Sequence, residues 1–150
     1  MLDFETMDDI LDFAIVQEIA AQEFYTQLSK EAHSDDRRLF YRTLTEEEQT
    51  HEKKLRDLKR RSFDLRAPDL SQLKKSGYLD ALPMHPGMDL KEVLLYGLKK
   101  EKSARMLYSV LAESMEQAEL ADLFRTLAAQ EEEHADFFRK EYDAACAETE

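Results

Sequence analysis

All six glycine and proline residues of this 150-residue chain lie between Pro68 and Gly97. The segments on either side lack the two residues that most strongly interrupt a helix. They are rich in Ala, Leu, Glu, Gln, Lys and Arg, the residues that favour helices most. Period-two alternation of the kind a half-buried strand shows is not apparent. The distribution predicts an all-α chain, long enough for a single domain with a sizeable core.

Four apolar stripes with steps of three and four mark four helices, expected at about 6–32, 35–62, 89–115 and 117–147. The first stripe reads Leu11, Ala14, Glu18, Ala21, Tyr25, Leu28, with Thr6 as N-cap and Asp8 and Asp9 in the first turn. The second, capped by Ser34 or Asp35, reads Tyr41, Leu44, Glu48, His51, Leu55, Leu58. The third, after Pro86-Gly87 with Asp89 as cap, reads Leu90, Leu94, Gly97, Glu101, Ala104, Tyr108, Leu111, Met115. The fourth reads Leu120, Phe124, Leu127, Glu131, His134, Phe138. Residues 63–88 form a long connection with five of the six Gly and Pro residues and room for a short helix near Asp69 to Lys75.

Each stripe carries ionisable residues where only apolar ones belong. A charge on a core face is costly unless it is paired or coordinated. Glu18 and Glu101 stand alone, while Glu48-x-x-His51 and Glu131-x-x-His134 come as pairs. All obey one offset, since 101 − 18, 131 − 48 and 134 − 51 each equal 83, and Tyr25 and Tyr108 share it. Residues three apart on a helix converge on one point, so each Glu-x-x-His pair can share a ligand. The midpoint of Glu18 and Glu48 is position 33, beside the Ser34 turn signal, and that of Glu101 and Glu131 is 116. Two antiparallel hairpins would then set each lone glutamate level with its Glu-x-x-His pair, about 22 Å from the turn at the helical rise. Mixed carboxylate and imidazole ligands suit two iron ions, with manganese next and zinc as a substitute. Tyr25 and Tyr108 either orient these carboxylates or pack in the core, and Gly97 allows close helix approach or room beside the site.

Other residues have simpler readings. Glu46, Glu47, Glu132 and Glu133 read as solvated face and His33 as exposed. In the connection, Tyr78, Met84 and His85 pack or face solvent. The formal net charge of −12 disfavours nucleic acid and anionic membrane as partners. The single Cys146 excludes an intrachain disulfide or Cys-pair metal site. With an acidic N-terminus and no long apolar run, a cytoplasmic location is the expectation.

With these residues placed, the chain resembles the ferritin-like di-iron superfamily and, within it, rubrerythrins. The resemblance rests on Ala14 to Tyr25, Leu44 to His51 and Leu127 to His134. It implies a ferritin-like four-helix bundle made of two helical hairpins and a crossover connection, with one Glu from each of two helices and Glu-x-x-His from the other two around a di-iron site. It also implies Glu18 and Glu101 as terminal ligands, Glu48 and Glu131 as bridges, and His51 and His134 as one nitrogen per iron. The implied chemistry is reaction of ferrous iron with hydrogen peroxide or dioxygen, as a peroxidase or ferroxidase, in a chain that often dimerises. Rubrerythrins proper add a rubredoxin-type iron site with Cys pairs, which one cysteine cannot form, so electrons would come from a separate donor such as a rubredoxin-type protein. Peroxidase-type rubrerythrins also tend to carry a further glutamate one turn beyond the third-helix ligand, where this chain has Ala104. Two other functions fit the same residues: iron binding or storage without dedicated turnover, and a metal-stabilised helical interaction module.

Overall fold

The computed structural model describes residues 3–61, 65–82 and 84–148. Five helices appear in the order α1 (Met7–Glu31), α2 (Asp35–Arg60), α3 (Ser71–Lys75), α4 (Leu90–Ser114) and α5 (Ala118–Ala147). No strand occurs among the described residues, and one isolated antiparallel bridge joins Thr6 to Arg66. The chain divides into two compact units, Met1–Pro68 and Asp69–Glu150.

In the first unit, α1 packs against α2 as a hairpin. Thr6 opens α1 with a capping box: its hydroxyl accepts from Asp9 N at 3.2 Å while the Asp9 carboxylate accepts from Thr6 N. The backbone amides of Glu5 and Thr6 hold the Asp9 carboxyl below its usual range. The turn closes in three residues, Ala32 to Ser34, because Ala32 is extended and Ser34 at once accepts from Arg37 N at 3.1 Å. Asp35 and Asp36 begin α2 and Lys59 and Arg60 end it, complementing the helix dipole at both ends. The expected end of α2 at 62 comes earlier, at Arg60, where the Arg61 amide closes on Leu58 O and Lys59 O; Ser62 lies outside the described residues. Beyond it, Leu65 O accepts from Met7 N and Ala67 N donates to Glu5 O, which pins the start of the connection to the entry of α1.

In the second unit, α4 packs against α5. Asp89 forms the same capping box with Glu92. Met115 ends α4 and Gln117 precedes α5, both extended with negative φ, and Gln117 gives no side-chain cap. Such a turn needs neither Gly nor Pro, which is why no local signal marks it. The short α3 ends at Lys75 with Ser76 as its cap, and Gly77 follows with a φ of 79°, the left-handed position a glycine fills most easily. Tyr78 N then bonds Leu73 O and Gly77 N bonds Lys74 O, a Schellman closure that gives half-buried Tyr78 a structural place.

The two hairpins repeat in register. N-caps Thr6 and Asp89, helix ends Glu31 and Ser114, and starts Asp35 and Ala118 are each separated by the 83 residues that separate the glutamates. The stripes read from sequence are the buried faces. All six members of the α2 stripe, and all six of the α5 stripe, are buried. In the other two stripes Leu28, Ala104 and Met115 are half-buried, and Leu90, at the first position of α4, is 62% exposed.

Candidate metal centre

Within the first hairpin, Glu18 from α1 and Glu48 and His51 from α2 sit together at 2%, 1% and 0% exposure. His51 Nδ1 is 3.4 Å from Glu18 Oε1 and 3.3 Å from Glu48 Oε1. The second hairpin repeats the arrangement. His134 Nδ1 from α5 is 3.4 Å from Glu101 Oε2 of α4 and 3.7 Å from Glu131 Oε1, and all three side chains are buried. In each triplet the candidate ligand atoms lie within 4.8 Å of one another. The midpoint expectation holds, because the turns centre on residues 33 and 116 and bring each lone glutamate level with its pair.

A proton and a cation can be compared as occupants. A charge-assisted N–H to carboxylate bond closes to about 2.7–2.9 Å, and one ring nitrogen carries one proton to share between two carboxylates. A cation about 2.0–2.2 Å from nitrogen and oxygen ligands holds neighbouring ligand atoms roughly 2.8–3.6 Å apart at tetrahedral or octahedral angles. Three of the four separations fall in that interval and the fourth, to Glu131, lies just outside it. The donor set thus fits a metal better than a proton. One divalent ion per triplet also cancels two carboxylate charges, whose burial would otherwise cost several kcal/mol per ion.

Tyr25 and Tyr108 are fully buried at 0% and 1% exposure. The Tyr108 ring stacks on Phe124, with centroids 6.2 Å apart. Gly97 lies one turn before Glu101 and is in close contact with the Phe138 ring. His33 is exposed, as are Glu46 and Glu133, while Glu47 and Glu132 are half-buried. Met84 faces solvent; His85 does too, but its ring nitrogens contact Pro86 O at 3.1 Å and Glu92 Oε2 at 2.9 Å.

Two residues at the height of the triplets carry contacts that the stripes did not announce. Gln22, one turn after Glu18, reaches from α1 to α2, donating to Glu52 Oε1 at 2.8 Å and to Glu48 O at 3.4 Å. Gln22 first, and then Arg56, hold the Glu52 carboxyl below its usual range. Arg105, one turn after Glu101, reaches from α4 to α5 and pairs with Glu132 at 2.7 Å. Glu132 is therefore more than solvated face. The 83-residue offset relates Gln22 to Arg105, and that shared register was the available signal.

A family model for rubrerythrin matches residues 9–82 and 92–150, nearly the whole chain and both triplets. The chain belongs to the rubrerythrin family. Like that family, it has the ferritin-like helical fold. A solved structure described as a hypothetical protein from Pyrococcus furiosus is similar at 26% identity and a TM-score of 0.70, over 91% of this chain and 87% of that one. No curated protein matches. Within the 150 residues, this rubrerythrin-family chain carries one cysteine, Cys146, and so no rubredoxin-type site. Among the described residues, no helix is long and apolar enough to cross a membrane.

Proposed function

We propose that the protein is a di-iron carboxylate oxidoreductase acting on hydrogen peroxide or dioxygen, with each triplet as the ligand set of one iron. The observation that carries this reading is the buried Glu/Glu/His triplet repeated in register in both hairpins, and membership of the rubrerythrin family supports it. Glu18 and Glu101 would each hold one metal, with His51 and His134 as the nitrogen ligands and Glu48 and Glu131 as the further carboxylates. When bound, paired iron supplies one-electron steps between the ferrous and ferric states. Buried apolar side chains one turn away, Leu44 and Leu55 in α2 and Leu127 and Phe138 in α5, keep bulk water from the carboxylates. Tyr25 and Tyr108 orient them through their hydroxyls. Manganese would suit the same ligands, and zinc would fill the site without redox chemistry.

Electrons come from a separate rubredoxin-type donor. The protein acts as a homodimer in the cytoplasm, points that sedimentation and cell fractionation check. Half-buried Ala104, one turn beyond Glu101, favours a second reading, iron binding or storage without dedicated turnover.

Anaerobic reconstitution with ferrous iron, followed by peroxide or dioxygen in separate arms, tests both readings. The expected result is about two iron ions per chain and ferric absorbance that rises faster with peroxide. A faster rise with dioxygen makes dioxygen the oxidant of the first reading, and iron that binds but is oxidised no faster than by a Glu48→Ala variant selects the second. Protein that stays metal-free, or that binds no more iron than its Glu48→Ala variant, overturns both.

A further inference from the structure

Gly97 has no room for a side chain. A Cβ placed there would stand 2.7, 2.8 and 2.9 Å from three atoms of the Phe138 ring, when carbon atoms in contact prefer about 3.5–4.0 Å. Phe138 is fully buried, so its ring has little freedom to move aside. Gly97 lies one turn before Glu101 on α4, and Phe138 one turn after His134 on α5. The contact therefore sets how closely α4 and α5 approach beside two of the candidate ligands.

The repeat supplies a comparison inside the same chain. Subtracting 83 from 97 and 138 gives Ala14 and Leu55, both fully buried in the first hairpin. One hairpin sets a glycine against a phenylalanine where the other has an alanine and a leucine. Both reach the same 3.4 Å between the histidine nitrogen and the lone glutamate. A small gain on one helix is matched by a small loss on the other, and the ligand spacing is kept.

We infer that Gly97 and Phe138 are a matched positioning pair for the Glu101/Glu131/His134 triplet, with Ala14 and Leu55 as the alternative solution in the first hairpin. The inference rests on the metal-binding reading above. A methyl group at position 97 forces the helices apart by about 0.8 Å, from 2.7 Å to about 3.5 Å, or turns the ring, more than the roughly 0.5 Å within which a metal site must be held. Residues that orient ligands typically change metal affinity by about 10–100-fold.

Cobalt(II) serves as the probe, because its visible spectrum reports ligand geometry without turnover. Wild type, Gly97→Ala, Phe138→Leu and the double variant are titrated with it. The double variant gives the second hairpin the Ala/Leu pair that the first already folds with. Gly97→Ala should bind one of its cobalt ions at least 10-fold less tightly than wild type with an altered spectrum, and the double variant should recover to within about 3-fold of wild type. If Gly97→Ala fails to fold, Phe138→Leu and the double variant carry the comparison, the double binding more tightly than Phe138→Leu. Single variants that bind and absorb like wild type overturn the positioning role alone. A double variant no better than the singles overturns the matching. Wild type that takes up no cobalt overturns the metal reading, and the positioning role with it.

Discussion

At the scale of single residues, Glu131 and its counterpart Glu48 carry opposed demands. Each is 1% exposed, and a buried carboxylate is tolerable only with compensating charge or a proton. Glu131→Gln keeps the shape and removes the charge. It should weaken metal binding by about 10-fold or more, and yet raise the stability of metal-free protein by on the order of 1 kcal/mol. Calorimetric metal titration and denaturant unfolding after chelation measure the two halves, and a metal-free variant less stable than wild type would show that the carboxylate is structural. Tyr25 and Tyr108 make a second residue-scale test. Tyr→Phe changes should lower metal affinity several-fold if the hydroxyls orient ligands, whereas rings that only pack would leave the titration unchanged. Most of these residues were legible in the chain because each breaks an apolar stripe. Gln22 and Arg105 were not, because a polar side chain beside a stripe usually faces water, and only the neighbouring helix shows what it crosses to.

At the scale of elements, helix beginnings were legible and one turn was not. Thr6 and Asp89 cap as read, each in a reciprocal box with the residue three positions on. Thr6→Ala should cost about 1 kcal/mol, seen as a lower denaturation midpoint with an unchanged slope. Near the start of α4, His85 contacts both the Pro86 carbonyl and the Glu92 carboxylate, and these two acceptors raise its pKa above the ordinary 6.5. A raised histidine pKa means that His85 supports the folded state fully below its unfolded pKa and loses that support as pH rises through the folded value. NMR titration of His85 should therefore give a midpoint above 6.5, and Glu92→Gln should lower it only in part, because the Pro86 carbonyl is the larger cause. A midpoint unmoved by Glu92→Gln would mean that the carboxylate contact is not held in solution. The turn from Met115 to Gln117 escaped the sequence because extended backbone with negative φ accepts any residue. Its position came instead from the repeat.

At the scale of the whole molecule, metal and folding should be linked, since a ligand that binds only the folded state stabilises it by mass action. At about 100-fold excess over Kd, saturation with a divalent metal is worth roughly 3 kcal/mol, or some 5–10 °C in Tm for a chain of this size. Scanning calorimetry with and without a chelator should show that shift, while the Glu48→Ala/Glu131→Ala double variant should show little of it. Equal shifts in both proteins would place the stabilising metal elsewhere.

The helical class, the buried faces and the six candidate ligands can all be read from the chain alone. Helical periodicity fixes which residues share a face, and the 83-residue repeat fixes which belong together. The spacings of 3.3 to 3.7 Å among ligand atoms, the reach of Gln22 and Arg105, and the contact between Gly97 and Phe138 arise only when the helices pack. Those depend on how far a second helix stands from the first. Side-chain volumes on both helices set that distance together, and neither stripe contains it alone.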